Sequence, residues 1–399
     1  MDYFISRIRR VKLQDLFQVW KLILAIVPAI LLRILHRDHW IISEAPNEAR
    51  DNGYWFFKYL VNTHPQIKCY YAIKNTSPDY SKVRELGTVI EHGSFRHWIL
   101  YLSASKIISS QKAMGPNAAL CGFLEVYGLL KNDRTFLQHG VIKDDLKWLY
   151  YDITKFNIFI CGAYPEYKYV DDTYGYPSGH VKYTGLCRFD GLHDGSPAER
   201  LVVIMPTWRE WIADEDDRLA KIEGTTAIRE TEYFKVWSSF IQDERIKEFS
   251  ERYDVRFVFF PHREMQKYLD SFPRSTPYIT VAGARDYDVQ DLLKRASLLI
   301  TDYSSVFFDV LYMKKPVLFY QFDYDRFRKG QYGEGYFDYR NNPFGKSFAD
   351  KDSVFEELKY YLDNDFHVSS DYLAAHKEFF KLYDSKNCER VYEAIMNRG

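Results

Sequence analysis

The sequence TDYSSVFFD carries hydroxyl and carboxylate side chains between two apolar runs, LLI before it and PVLFY after it. These runs are typical of buried parallel strands, with a turn and a helix between them. The turn would place Thr301, Asp302, Ser304 and Ser305 at a strand's carboxyl end, where the helix N–H groups favour an anion such as a diphosphate. Asp309, one helical turn further, could accept hydrogen bonds from an adjacent ribose. The same spacing also fits a simple helix cap and a solvated carboxylate.

Two further apolar runs in the second half of the chain end in basic residues. PTWR and PHR place Arg209, His262 and Arg263 after predicted strands. Because parallel strands end at a common sheet edge, these side chains are expected beside the TDYSS turn. Arginine makes planar, permanently charged contacts to phosphate, so the group predicts a diphosphate clamp. Arg188, in GLCRFD, is a further candidate for this clamp, and a solvated salt bridge is the alternative for each residue alone.

RTFLQHG predicts a strand that ends in polar residues, with His139 at its end and Gly140 after it. Histidine titrates near neutral pH, so it could remove a proton from an alcohol, and the glycine would let a ligand approach the backbone. A histidine at a strand end is more often a hydrogen-bonded structural residue, so the residue types alone leave both roles open. Asn52 and Gly53, in DNG, fit either a turn with a helix cap or the lining of a ligand cleft.

The elements that would position these residues alternate between strand and helix from residue 39 onward, which predicts α/β domains with parallel sheets. A chain of 399 residues is too long for one ordinary core, and DGSPAER has the composition of a linker. We therefore expect two Rossmann-like domains, 38–193 and 194–399, facing a central cleft as in the GT-B type. The second would bind the nucleotide and the first the acceptor.

Residues 1–37 differ from the rest, because seven basic side chains surround an apolar run from Leu22 to Leu32. Eleven apolar residues are too few for a bilayer core that needs about 20. We expect an amphipathic helix in the plane of a membrane, on the cytoplasmic face of the cell membrane. The alternatives are a helix packed on its own domain and a strained spanning helix from Leu13 to Leu35.

The composition argues against several classes of protein and site. A formal net charge of −1 gives no basic field for nucleic acid, and five cysteines without CxxC spacing predict neither a disulfide framework nor a zinc site. There is no DxD beside the predicted nucleotide turn, and DEDD at 214–217 fits a solvated loop. Neither a metal nor a cofactor is therefore expected.

The motifs also resemble a known family. TDYSSVFFDVLYMKKPVLFY is similar to the signature of the CDP-glycerol glycerophosphotransferases, which include teichoic-acid and capsule polymerases. QHG, PTWR, PHR and GYFDYRNNPFG are similar to other blocks of that family, and they occur in its order within residues 39–350. The resemblance implies a CDP-glycerol or related CDP-polyol donor, a lipid-linked polymer or glycan acceptor, and His139 as general base. VIKDDLKWL after QHG departs from the family's usual continuation, which leaves the acceptor open.

Two other functions remain compatible with the sequence. One is a GT-B glycosyltransferase that uses a nucleotide-sugar donor, with attack at carbon rather than phosphorus. The other is a catalytically silent, membrane-bound nucleotide sensor. Release of CMP rather than UDP from a panel of donors would separate the first from a polyol-phosphate transferase.

Overall fold

The computed structural model describes residues 13–35, 38–193, 198–212 and 226–398. These residues form two compact units. The first unit combines the chain up to residue 141 with residues 146–191 and the chain from residue 384 onward, and the second combines residues 142–145 with 192–383. Parts of the expected anchor and linker, residues 1–12, 36–37 and 194–197, lie outside the described residues.

The described part of the first unit contains a parallel sheet in the order β3-β2-β1-β4-β5-β6-β7. Its strands are β1 Trp40–Ser43, β2 Cys69–Ile73, β3 Val89–Glu91, β4 Lys106–Ser109, β5 Asp133–Phe136, β6 Ile158–Cys161 and β7 Val181–Tyr183. Its helices are α1 Leu13–Ile34, α2 Asn52–Thr63, α3 Tyr80–Leu86, α4 Phe95–Ser103, α5 Ala118–Val126, α6 Tyr151–Thr154 and α7 Tyr164–Thr173, with 3-10 helices at Lys147–Leu149 and Cys187–Leu192. Strands β1 and β4 are buried along most of their length, as their apolar sequences WIIS and KIIS predict.

The described part of the second unit repeats this design with the order β10-β9-β8-β11-β12-β13, again all parallel. Its strands are β8 Leu201–Met205, β9 Arg256–Phe259, β10 Ile279–Val281, β11 Leu298–Thr301, β12 Val317–Tyr320 and β13 Ser347–Phe348. Its helices are α8 Thr226–Glu230, α9 Glu232–Ile241, α10 Glu244–Tyr253, α11 Val289–Arg295, α12 Phe307–Tyr312, α13 Tyr324–Gly330, α14 Lys351–Asp363 and α15 Ser370–Phe379, with a 3-10 helix at Arg263–Ser271. The two Rossmann-like domains predicted from the alternating pattern are therefore present.

The last helix, α16 Asn387–Met396, belongs to the first unit, whereas the sequence places these residues in the second domain. The reason is a cap on its first turn from a residue that is distant in sequence. The carboxylate of Asp190 accepts hydrogen bonds from the backbone N–H groups of Asn387 and Cys388, at 2.8 and 2.9 Å. Such long-range caps leave no signal in local composition.

Helix α1 has two different faces. One face packs on α4: Ala25 and Ala29 are buried, and the Gln18 side chain accepts the indole N–H of Trp98 at 2.7 Å. The other face exposes large apolar side chains, among them Phe17, Trp20, Leu24, Val27 and Leu31. Because the helix runs 22 residues without interruption, Phe17–Ile34 is long and apolar enough to cross a membrane by length and composition. The helix therefore corresponds closely to the longer segment, Leu13 to Leu35, that the sequence allows as a spanning alternative.

Candidate active site

The strand order of the first unit reverses between β1 and β4, and open α/β sheets bind ligands at the carboxyl ends of strands beside such a reversal. Strands β1, β4 and β5 are neighbours here. Asp51 and Asn52 follow β1, Ser110 follows β4 and His139 follows β5. Polar side chains that are distant in sequence therefore meet at one edge of the sheet.

The backbone around His139 is fixed from several sides. Gln138 adopts a positive φ of 62°, which few residues other than glycine tolerate. Its buried side-chain amide donates to the carbonyl of Ile160 and to the carboxylate of Glu166. The Arg188 guanidinium donates to the His139 carbonyl at 2.9 Å. Gly140 follows and is buried, while His139 itself stays exposed. These contacts fix the backbone of the loop and leave His139 accessible to solvent.

Arg188 supports this loop instead of joining a diphosphate clamp, which corrects the expectation from the sequence. Its guanidinium forms an ion pair with Asp51 at 2.6 Å, and its side chain is only 9% exposed. Asn52 completes the link: its amide donates to the Gln138 carbonyl at 2.7 Å and its oxygen accepts the Arg188 backbone N–H at 3.0 Å. The guanidinium is therefore engaged by groups around the histidine within the first unit.

The DNG segment serves both as a cap and as part of the site. Asp51 caps α2, because its carboxylate accepts the N–H of Asn52 at 2.8 Å. Gly53 has a packing role, since a Cβ atom there would lie 2.7 Å from the Ser43 carbonyl oxygen. The cap and the close packing of α2 on β1 place Asn52 where it can hold Gln138 and Arg188.

Electrostatics favour a neutral His139. Although His139 is exposed as a whole residue, the protein packed around its ring lowers the pKa of His139, and the Arg188 charge lowers it further. The carboxylate of Asp51 and a hydrogen bond with the Ser110 backbone oppose this shift without cancelling it. Near neutral pH the imidazole is therefore unprotonated and able to accept a proton.

Glu44, which follows β1, also has a shifted pKa. Burial raises the pKa of Glu44 to about 8, and the charge of Asp51 raises it further, whereas hydrogen bonds from three backbone N–H groups oppose the shift.

In the second unit, the TDYSS turn follows β11 at the reversal between β8 and β11. Its first two residues face inward. The Thr301 hydroxyl donates to the Met205 carbonyl at 2.7 Å, and the Asp302 carboxylate accepts the N–H groups of Thr207 and Tyr303 at 2.8 and 2.6 Å. Both residues are fully buried. They support the turn from within, together with the buried Tyr303, whereas Ser304 and Ser305 are partly exposed.

Arg209 is also an internal residue, contrary to its predicted place in a phosphate clamp. It is fully buried, pairs with Asp302 at 2.9 Å and with Asp323 at 2.7 Å, and donates to the Thr207 carbonyl at 2.8 Å. Five aromatic rings lie within 6 Å of its guanidinium carbon. The two carboxylates raise the pKa of Arg209 although burial acts against them. The sequence shows a cation at a strand end, but it does not show the two anions that neutralise it.

The remaining predicted donor residues lie nearer the surface. Ser304 and Ser305 are partly exposed, and the Ser304 hydroxyl lies 3.4 Å from the N–H of Val306. His262 is partly exposed and accepts the N–H of Glu264, while Arg263 is exposed. The backbone N–H of His262 donates to the Pro206 carbonyl at 3.0 Å, so the PHR and PTWR segments run side by side.

Helix α12 has only six residues, so its dipole is smaller than the sequence suggested. Asp309 lies in its first turn and is 6% exposed.

Sequence reasoning missed Asp323. Its carboxylate accepts a hydrogen bond from the Tyr303 hydroxyl at 3.1 Å and forms an ion pair with Arg209. Its position three residues after the end of the apolar strand β12 was the available signal. Among the described residues, no group of three or more His, Cys, Asp or Glu side chains could hold a metal ion, and DEDD lies outside them.

Comparison with known proteins identifies the family. Residues 176–397 match the family described as CDP-Glycerol:Poly(glycerophosphate) glycerophosphotransferase. The minor teichoic acid biosynthesis protein GgaB of Bacillus subtilis (strain 168) is 31% identical over 387 residues, which cover 93% of this chain and 42% of GgaB. A teichoic acid poly(ribitol-phosphate) polymerase of Bacillus spizizenii is 33% identical over 113 residues, 27% of this chain and 17% of that protein. The chain thus spans less than half the length of these relatives.

A solved structure shares the fold. A variant of the wall teichoic acid polymerase TagF, soaked with CDPG, superimposes with a TM-score of 0.66 at 14% identity and covers 98% of this chain and 97% of its own. This likeness confirms the predicted α/β fold class of GT-B type. The match over more than half of the sequence settles the family: this chain belongs to the CDP-glycerol:poly(glycerophosphate) glycerophosphotransferases.

Proposed function

We propose that the chain transfers a glycerol-phosphate or related polyol-phosphate unit from a CDP-polyol to a hydroxyl of a membrane-linked polymer, with release of CMP. Family membership carries the proposal. The relatives support a polyol-phosphate donor without fixing the polyol, because the family description names glycerophosphate and one relative is a ribitol-phosphate polymerase. The held histidine and the polar turn supply the chemistry that such a transfer needs.

His139 is the proposed general base. Its neutral imidazole accepts the proton of the acceptor hydroxyl as the oxygen attacks the phosphorus that bears the polyol. A new O–P bond forms, and the bond from that phosphorus to the CMP oxygen breaks. Asp51, which favours the protonated ring, stabilises the imidazolium that results. Arg188 and Asn52 act indirectly, by holding the loop.

The TDYSS turn, the start of α12 and the PHR segment are the proposed donor site. Ser304, Ser305, His262 and Arg263 would bind the diphosphate, and Asp309 the ribose. Thr301, Asp302 and Arg209 hold the turn from inside. Arg263 and the backbone N–H groups of the turn stabilise the charge that develops on the departing CMP.

Helix α1 is the proposed contact with the cytoplasmic face of the cell membrane. Its exposed apolar face would enter the acyl boundary, while Gln18, Lys21 and Arg33 bond to the first unit and hold the helix in the plane of the surface. Exposed Phe123, on the nearby helix α5, extends the apolar surface. A peripheral attachment of this kind would bring a lipid-linked acceptor to the enzyme.

A panel of donors tests the proposal. The protein is mixed with CDP-glycerol, CDP-ribitol or a UDP-sugar in the presence of a lipid-linked polyol-phosphate acceptor, and CMP and UDP are measured separately. We expect acceptor-dependent CMP release from a CDP-polyol and no UDP. UDP release would favour a sugar transferase, and binding without turnover in every mixture would favour a nucleotide sensor.

A further inference from the structure

The turn between β6 and α7 lies against the loop that carries His139, and both segments belong to the first unit. We call residues 138–141 the histidine loop. The buried side chain of Gln138 links the two segments. Its amide donates one hydrogen bond to the Ile160 carbonyl, on β6, and another to the Glu166 carboxylate, on α7, at 3.0 Å. The residue before the proposed base is therefore tied to a strand and to a helix.

Glu166 joins this contact to the start of α7. Its side chain is fully buried, and its second carboxylate oxygen accepts the backbone N–H groups of Gly162 and Ala163 at 2.6 and 3.2 Å. The same turn packs on the far end of the histidine loop, because a Cβ atom on Gly162 would lie 2.9 Å from the Val141 side chain. One carboxylate therefore holds both the turn before α7 and the amide of Gln138.

The backbone of Gln138 needs support of this kind. Its φ of 62° lies in the left-handed region, which is unfavourable for residues other than glycine and persists only where surrounding contacts hold it. The two amide hydrogen bonds hold the side chain, and the Asn52 amide donates to the Gln138 carbonyl at 2.7 Å. Because His139 is the next residue, a change of the backbone angles at Gln138 would redirect the imidazole.

We infer that Glu166 is a positioning residue for His139: its hydrogen bond to the Gln138 amide keeps the histidine loop in the conformation that sets the place of the imidazole. In that place the ring forms a hydrogen bond with the Ser110 backbone and feels the charge of Asp51. Every contact in this chain of support lies within the first unit. The expected effect on transfer rests on the proposed function, in which His139 is the base, whereas the placement of the ring does not.

Glu166→Gln tests the inference, because it keeps the size of the side chain and removes one acceptor oxygen. The two backbone N–H groups orient the new amide, since only its oxygen can accept them. Its NH2 group then faces the Gln138 amide, and two donors form no hydrogen bond. We expect single-turnover CMP release from CDP-glycerol, with acceptor present, to slow about 10- to 100-fold, the effect of displacing a reacting group by about 1 Å. CDP-glycerol affinity by calorimetry should change by less than about threefold.

The pKa of His139 gives a readout that does not depend on transfer. Packing around the ring and the Arg188 charge lower this pKa, whereas Asp51 and the hydrogen bond with the Ser110 backbone act in the opposite direction. Because packing is the largest cause, a displaced ring should have a pKa closer to the ordinary histidine value of about 6.5. An NMR titration of histidine-labelled protein measures this, with His139→Ala identifying the resonance. The midpoint of the pH–rate profile should rise with it.

Gln138→Gly tests the other side of the same hydrogen bond. Glycine adopts the positive φ without a steric cost but has no amide to hold it. The variant should slow CMP release as Glu166→Gln does, while the carboxylate and its backbone hydrogen bonds remain in place. The double variant should be about as slow as the slower single variant, because the two residues act through one contact.

Glu125→Gln is the matched control. Glu125 is also a buried carboxylate of the first unit, and it pairs with Arg134 at 3.2 Å and accepts the Tyr101 hydroxyl at 2.6 Å. Its substitution should lower the thermal unfolding temperature without changing the pKa of His139 or slowing CMP release at saturating donor.

The outcomes separate the inference from the proposed function. An unchanged pKa of His139 in Glu166→Gln, or fully additive rate losses in the double variant, would overturn the positioning role and leave the proposed function intact. A shifted pKa with an unchanged rate of CMP release would support the positioning role and overturn His139 as the base. If Glu166→Gln does not fold, Gln138→Gly decides by the same two readouts.

Discussion

Replacement of Arg209 by methionine tests whether the buried cluster supports the fold or binds the donor. Methionine has a similar unbranched length and fills much of the space, so the main loss is the charge. Asp302 and Asp323 then remain buried, with side-chain exposures of 0% and 3%, and without their cation. Breaking a buried pair costs about 3–5 kcal/mol, and two carboxylates here share one guanidinium, so we expect a loss near the upper end of that range.

The loss should depend on pH. Burial already raises the pKa of Asp302, and Arg209 opposes that shift. Without Arg209, the Asp302 carboxyl group keeps its proton to a higher pH in the folded protein. In the unfolded chain the same group releases its proton near pH 3.9. Stability then falls as pH rises through the window between the two pKa values, so Arg209→Met should be less destabilised at pH 5 than at pH 8. Adding Asp302→Asn should restore about 0.5–3 kcal/mol by removing one uncompensated charge.

The assay is urea unfolding followed by tryptophan fluorescence, since Trp208, Trp211 and Trp237 lie in the second unit. Arg263→Ala is the matched control. Because Arg263 is exposed, we expect its unfolding free energy to stay within about 0.5 kcal/mol of the wild type while CDP-glycerol affinity falls. An unfolding free energy for Arg209→Met within about 1 kcal/mol of the wild type would refute the structural role, because surface-like substitutions behave in that way.

Three further perturbations probe the proposed base, donor turn and membrane face. His139→Ala should slow CMP release about 100- to 10,000-fold and leave CDP-glycerol affinity unchanged. A loss of CDP-glycerol binding in this variant would show instead that His139 binds the donor. Because the pKa of His139 is lowered, the wild-type rate should fall only as pH drops below the ordinary histidine value, and a midpoint above pH 7 would contradict this. Ser304→Ala and Ser305→Ala should each weaken CDP-glycerol binding by about 1–3 kcal/mol in calorimetry, and unchanged affinity in both would place the diphosphate elsewhere. Trp20→Ser with Leu24→Ser should lower co-sedimentation with anionic phospholipid vesicles about tenfold or more, with unchanged thermal unfolding because both side chains are exposed; full retention on vesicles would contradict a membrane role for this face.

Deleting α1 would be a poorer test of membrane binding than changing its exposed face. The helix covers α4 through Ala25, Ala29 and the Gln18–Trp98 hydrogen bond, so its removal would uncover apolar surface of the first unit. Loss of function could then follow from loss of fold.

Local features of the sequence were enough to predict the sheets and the strand ends. Runs such as LLIT and VLFY form β11 and β12, because continuous apolar segments flanked by polar turns fit strands covered on both faces. The turn after β11 and the histidine after β5 follow from the same rule, as does the cap by Asp51 in DNG. These predictions need only neighbours along the chain.

The tertiary structure decided which polar groups face inward. Arg209 and Arg263 both follow apolar strands, yet Arg209 is neutralised by Asp302 and Asp323, which follow β11 and β12, whereas Arg263 is exposed. Arg188 likewise meets Asp51, 137 residues earlier in the chain. Since burying a charge is favourable only beside its counter-ion, the role of each arginine depends on partners that come together only on folding, and local sequence carries no record of them.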